Sequence, residues 1–255
     1  MVTGWLERER SRRGQRALVR QLEYQEAKSR SLDGHQADYV AFMIAESRRV
    51  RAVIERTRQV QPYGRVLEVG SGAHGLIFHF DTTCRVGVDP LAHHYAALFP
   101  WWQRQASTIT SLGNALPFPD ASFDVVLCDN VVDHAEDPRG IIAEIARVLA
   151  PGGCLYFTVN VHHRLYAAAA FLHGAWNAVG IRLEVGPFAD HTVHLTPERG
   201  RRLFAGLPFS VIAETCDIDE VKAAARRTRP RHLGDRLKRT FYKNAVLEVV
   251  ARRTQ

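Results

Sequence analysis

The chain has 255 residues, a formal net charge of +7 and 46% hydrophobic residues, a length and composition suited to one α/β domain with a sizeable core. No run approaches the roughly 18 apolar residues of a membrane span, and the first ten residues hold no continuous apolar segment, so no signal peptide is expected. The four cysteines (Cys84, Cys128, Cys154, Cys216) lie far apart without metal-type spacing, which points to reduced thiols, no metal site and a cytoplasmic location.

In chain order, residues 5–30 are charged and read as a helix, broken at Ser31-Leu32-Asp33-Gly34. Residues 36–59 read as a second helix whose uneven apolar face is Tyr39, Phe42, Met43, Ile44, Val50, Val53 and Ile54. Gln61-Pro62-Tyr63-Gly64 then punctuates the chain. The expected division is a helical extension over 1–60 and a main domain over 61–255. Residues 66–75, Val-Leu-Glu-Val-Gly-Ser-Gly-Ala-His-Gly, join an apolar run suited to a buried parallel strand to clustered glycines. Gly70, Gly72 and Gly75 have the spacing of a loop whose backbone turns sharply and approaches a ligand. Glu68 stands two residues before the first glycine. A carboxylate there repels a pyrophosphate but suits a ligand carrying an ammonium or sulfonium charge.

Arg85-Val86-Gly87-Val88-Asp89 reads as a second strand ending on an acid, about 20 residues beyond the glycines, where a ribose-binding carboxylate belongs. Leu116-Pro117-Phe118-Pro119-Asp120 leads through Ala121-Ser122 into a further strand, Phe123-Asp124-Val125-Val126. Arg147-Val148-Leu149-Ala150-Pro151-Gly152-Gly153 reads as a helix end and turn before another. Thr196-Pro197-Glu198 starts a late helix, with Thr196 as cap and Pro197 in its first position. Residues 209–213 and 245–250 are the last two strands.

These four motifs, in this order over residues 64–160, resemble the class I S-adenosylmethionine-dependent methyltransferases, in particular the small-molecule branch containing ubiquinone-biosynthesis-type O-methyltransferases. The resemblance implies a doubly wound, Rossmann-like α/β fold with a seven-stranded, mostly parallel sheet closed by an antiparallel terminal hairpin. It implies S-adenosylmethionine as cofactor. Glu68, Gly70, Ser71 and Gly72 would surround its methionine part, Asp89 would bind the ribose hydroxyls, and Pro90 and Leu91 would lie beside the adenine. The sequence departs from the family pattern twice. His74 stands where a third glycine is frequent, with Gly75 one residue later, and no acid precedes Leu116. Adenine recognition there falls to backbone groups or to Asn114.

The segment Cys128-Asp129-Asn130-Val131-Val132-Asp133-His134 would border the transferred methyl group. Asp129 and Asn130 are placed on the cofactor side, and Asp133-His134 resembles the acid–imidazole pair of the ubiquinone-type enzymes. Such a pair can serve as a general base near neutral pH; His134 capping the next helix or packing under the cofactor is the alternative. Residues 161–195, with His162, His163, His173, His191 and His194, read as a lid-like insertion over the acceptor. Nine Lys or Arg against one acid between Lys222 and Lys243 suit phosphates, an anionic small acceptor or a solvated connection.

The expected activity is methyl transfer to a small-molecule acceptor, oxygen favoured over nitrogen. Three rivals stand beside it. A nucleic-acid methyltransferase would use the basic run, but Asp129-Asn130-Val131-Val132 lacks the Pro-Pro-aromatic signature of exocyclic-amine enzymes. A nicotinamide oxidoreductase shares the glycines but not Glu68 or the Leu116–Val126 stretch. A non-catalytic cofactor-binding protein of the same fold is the third.

Overall fold

A computed structural model of the chain describes residues 18–30, 36–58, 60–61, 64–167, 193–227 and 241–254. Expectations for residues 5–17, for the break at 31–34, for most of the 161–195 insertion and for the centre of the basic run lie outside these residues.

Two helices come first: α1 (18–30) and α2 (Gln36–Glu55). A seven-stranded sheet follows in the order β3-β2-β1-β4-β5-β7-β6. At its centre β1 (Arg65–Val69) pairs in parallel with β2 (Cys84–Val88) on one side and β4 (Phe123–Asp129) on the other. Beyond β2 lies β3 (Ser107–Ile109), and beyond β4 lies β5 (Leu149–Val161), both parallel. The far edge is antiparallel: β7 (Ala245–Arg253) inserts between β5 and β6 (Phe209–Cys216). This is the expected doubly wound architecture with its terminal hairpin. The direction of winding reverses between β1 and β4, so the crevice for a ligand opens at their carboxyl ends.

The two faces bury different halves of the core. On one face α2 lays Met43, Val50 and Ile54 against Val66, Val125, Leu127, Tyr156 and Val250. On the other, α5 (Pro138–Val148) buries Ile141, Ile142, Ile145 and Val148 against β4 and β5. Each fully buried isoleucine there contributes about 1.5–3 kcal/mol. Asp137 caps α5 by accepting a bond from Gly140 N at 2.9 Å, and Pro138 holds the first helical position. Thr196 caps α7 (Pro197–Arg202) in the same way, as its sequence predicts. Between these stand α3 (Ala92–Leu98), α4 (Pro100–Gln103) and a helical stretch, α6, at 164–167; α8 (Ile218–Arg227) joins β6 to β7. Arg147 fixes the Leu116–Val126 stretch, donating to the Leu116 and Phe118 carbonyls at 3.0 and 2.7 Å and pairing with Asp120 and Glu144.

One element departs from the regular doubly wound pattern. The glycine loop leads not into a full crossover helix but into a single 3-10 turn, Leu76–Phe78. Eight residues separate Gly75 from β2, too few for a long helix and a return. Leu76, Ile77, Phe78 and Phe80 are nevertheless fully buried in the core on the α2 face.

Candidate functional site

The carboxyl ends of β1, β2 and β4 bring the glycine loop, Asp89 and Asn130 to one edge of the sheet. The loop is closed onto the strands by its own backbone. Gly70 N and Ser71 N both donate to Val88 O, at 2.7 and 3.1 Å. Gly70 sits at φ +75°, and a Cβ there would overlap the Val131 methyls. Gly72 also has positive φ, +54°, but a Cβ on it would meet nothing nearer than Gly70 O at 4.0 Å. The loop therefore packs tightly at its first glycine and opens at its second.

Glu68 is fully buried and points into the loop that follows it. Its two carboxylate oxygens accept from Leu76 N at 3.1 Å and Ile77 N at 2.9 Å, capping the 3-10 turn. Burial pushes its pKa up to about 8, with the carboxylates of Asp129 and Asp89 adding to the rise; the two backbone bonds oppose it and lose. Gly75 is required beside it, since a Cβ would overlap Glu68 Oε2 and Ser71 O. His74, in the place of the frequent third glycine, is buried in a box of Tyr39, Phe99 and Trp102 with ring centroids 5.2, 4.4 and 4.6 Å away. Burial holds its pKa at about 3, so the imidazole is neutral.

Asp89 links the second strand to the loop: Oδ2 accepts from Gly72 N at 3.0 Å and Oδ1 from Leu91 N at 2.8 Å. Burial raises its pKa. Leu91 and Tyr95 pack with Ala73 beneath Leu18 and Leu22 of α1, so the first helix covers this side of the glycine loop. Pro90 is half-buried, and Asn114 is exposed on the loop after β3.

After β4, Asn130 adopts φ +55°, a left-handed conformation uncommon outside glycine. Its N–H donates to Thr158 O and Thr158 Oγ1, at 3.2 and 2.9 Å, while the Thr158 hydroxyl donates to Asp129 Oδ1. Asp129 is pushed up in pKa, first by burial. Val132–His134 form a 3-10 turn in which Asp133 is fully buried and His134 exposed, His134 Nε2 lying 3.9 Å from Asp133 Oδ1. Asn160 donates to Asn130 Oδ1 and reaches Asp133 Oδ2 at 3.5 Å, so the two halves of this segment share one amide.

Several residues at this edge carry no signal in the sequence. Gln103, buried at the end of α4, donates through Nε2 to Gly72 O at 3.2 Å and Ala73 O at 3.0 Å, tying down the glycine loop from 30 residues away. On the α2 face, Arg49 bridges Glu46, Glu248 and Tyr156. The histidines of the 161–195 stretch are described only in part. His162 is buried with its ring 5.2 Å from His194, and its Nδ1 accepts from Asn244 N at 3.2 Å; His173 and His191 lie outside the described residues. Among the described residues no group of three His, Cys, Asp or Glu side chains could hold a metal ion, and no helix is long and apolar enough to cross a membrane.

The site residues fit the cofactor that the sequence implies. Space stands over Gly72, the buried Ser71 hydroxyl has no partner among the described residues, and the carboxylates of Asp89 and Asp129 lie near enough to Glu68 to raise its pKa, so this edge is acidic. Residues 67–157 match a family described as a methyltransferase domain. The chain is 29% identical over 169 residues to the malonyl-[acyl-carrier protein] O-methyltransferase of Halorhodospira halophila, covering 63% of this chain and 56% of that protein. It is 30% identical over 182 residues to an uncharacterised methyltransferase of Mycobacterium sp. (strain KMS), covering 70% of this chain and 61% of the relative. The chain thus spans little more than half the length of these relatives. The geranyl diphosphate C-methyltransferase of Streptomyces coelicolor, solved with Mg2+, geranyl diphosphate and S-adenosyl-L-homocysteine, shares the fold with a TM-score of 0.59 at 15% identity, over 82% of this chain and 79% of that one.

Proposed function

We propose that the chain, whose residues 67–157 match a methyltransferase domain family, is a class I S-adenosylmethionine-dependent enzyme that transfers a methyl group to a small-molecule acceptor, oxygen favoured over nitrogen. The observation that carries the reading is the pairing of an open, left-handed Gly72 with the Asp89 carboxylate on its N–H. A glycine loop opened at that point and clamped to an acid at the end of β2 suits an adenosyl ligand.

When bound, the cofactor supplies a methyl group already activated on a positively charged sulfur. The chain's part is to hold, orient and exclude water; positioning of this kind is worth about 7–11 kcal/mol in favourable cases. Gly70, Ser71 and Gly72 would line the methionine part and Asp89 would take the ribose hydroxyls. Pro90, Leu91 and Asn114 would lie on the adenine side. Glu68 acts through the loop: it holds the 3-10 turn in place and adds negative charge behind it only as pH rises towards 8. His134, exposed beside the buried Asp133, would accept a proton from an acceptor hydroxyl. The O-methyltransferase name of the Halorhodospira relative supports oxygen as the receiving atom.

The test is methyl transfer from isotope-labelled S-adenosylmethionine to a panel of hydroxyl- and amine-bearing small molecules, with product mass as readout. A labelled small-molecule product supports the reading. Cofactor binding with no product from any acceptor favours the non-catalytic rival, and label appearing only in added RNA favours the nucleic-acid one.

A further inference from the structure

A cleft of about 340 Å3 opens between α2, the carboxyl-end halves of β4 and β5, and the amino-terminal half of the antiparallel β7. It shares Asp129 and Asn130 with the site above, and Arg49 forms its far wall. Its charges are unequal: the carboxylates of Glu46, Asp129 and Glu248 meet one guanidinium. That guanidinium is already engaged, donating to both Glu46 oxygens, to Glu248 Oε2 at 2.9 Å and to the Tyr156 hydroxyl at 2.8 Å. Tyr156 donates to the same Glu248 oxygen at 2.7 Å, and the Thr158 hydroxyl serves Asp129 Oδ1. Glu248 Oε1 and Asp129 Oδ2 are left as acceptors without a donor among the described residues. Val246 is the one apolar residue of the described wall.

We propose that this cleft seats the acceptor, and that the acceptor is a polar small molecule bearing an ammonium group. The inference rests on the methyl-transfer reading and names the substrate class of that site. An apolar or anionic occupant would strip water from carboxylate oxygens without replacing it, which is costly. An ammonium group satisfies both oxygens and relieves the mutual repulsion that helps raise Asp129. The cleft also lies at the correct end of the sheet. A larger cavity of about 750 Å3, around Arg48, Arg51 and Arg85, opens beside the start of β2, at the opposite end of the strands from the glycine loop. The basic side chains of 222–243 that are described (Lys222, Arg226, Arg227, Lys243) do not line the acceptor cleft.

The test uses the whole chain saturated with S-adenosylhomocysteine and titrated, by NMR, with three probes of one shape and different charge: glucosamine, glucose and glucuronate. The expected result is saturable glucosamine binding, about tenfold tighter than glucose for one well-placed charge, and no binding of glucuronate. Glu248→Gln weakens glucosamine and leaves S-adenosylhomocysteine affinity in place; Glu46→Gln gives the same readout should the first variant not fold. Glucosamine binding no tighter than glucose or glucuronate overturns the proposal. So does a loss of S-adenosylhomocysteine affinity in folded Glu248→Gln, which assigns the cleft to the cofactor's amino-acid end. Failure of the wild-type chain to bind S-adenosylhomocysteine at all strikes the underlying methyl-transfer reading instead, and the acceptor assignment falls with it.

Discussion

Replacing Glu68 with glutamine separates the two roles of this carboxylate, because its protonation is tied to folding. Its pKa is about 8 in the folded chain against an ordinary value of 4.5. For an acid raised in this way, folding takes up a proton. The stability it contributes is complete below the ordinary carboxylate value and is lost as pH rises through 8. Between pH 5 and pH 8 this one group removes on the order of 3–4 kcal/mol from the wild type, at about 1.4 kcal/mol per pKa unit. Glutamine does not titrate, so Glu68→Gln escapes that loss. It has a cost of its own, since one of the Leu76 and Ile77 N–H groups then faces an amide NH2 in place of an acceptor, about 1–3 kcal/mol. Urea unfolding of both proteins at pH 5, 6, 7 and 8 should show the variant weaker at pH 5, with the difference closing or reversing by pH 8. A stability difference constant across that range would refute the buried, proton-linked Glu68. The same linkage predicts that the cationic S-adenosylmethionine gains affinity as pH rises towards 8 more steeply than S-adenosylhomocysteine, whose sulfur is neutral.

Three further outcomes follow from the geometry. His134→Ala should lower turnover by about 10²–10⁴-fold, the usual contribution of a general base, with S-adenosylhomocysteine affinity unchanged; near-normal turnover removes His134 from the chemistry. Gly70→Ala should destabilise the fold by about 2 kcal/mol or more, combining a left-handed backbone with overlap onto Val131. Gly152→Ala, at φ +71° with open space around it, should cost only the backbone part, about 1–2 kcal/mol, and equal losses in urea unfolding would dismiss the Val131 contact. Gln103→Met should weaken S-adenosylhomocysteine several-fold by calorimetry, since the Gly72 and Ala73 carbonyls lose their shared donor; a drop in melting temperature with full affinity would make Gln103 merely structural.

The fold was legible where the sequence had to satisfy local rules. The apolar run before Gly70, the acid closing β2 and the Pro-rich entry to β4 each encode a strand end or turn, and together they order the sheet. The missing crossover helix was not legible, because Leu76-Ile77-Phe78 suits the first turn of a helix as well as a lone 3-10 turn; the short distance to β2 decides it. His74 looked like a departure from the glycine pattern, yet Gly75 does the packing against Glu68, and His74 is free to fill an aromatic box. The Arg49–Tyr156–Glu248 wall was hidden for a different reason. On a helix, Glu46 and Arg49 read as a solvated i,i+3 pair, and only the β5–β7 register, which sets Tyr156 opposite Val250 and Thr158 opposite Glu248, brings the strand residues beneath them. Gln103 likewise depends on a contact across 30 residues that no local pattern announces.

An adenosyl cofactor site built on the glycine loop and Asp89 underlies every role assigned above. Calorimetric titration of the chain with S-adenosylmethionine, S-adenosylhomocysteine and NAD, beside Asp89→Ala, tests it most directly. Saturable binding of both adenosyl sulfur ligands is expected, with no binding of NAD and with loss of the first two in the variant, where Gly72 N and Leu91 N lose their acceptor. Binding of NAD alone, or adenosyl binding that survives Asp89→Ala undiminished, would contradict it.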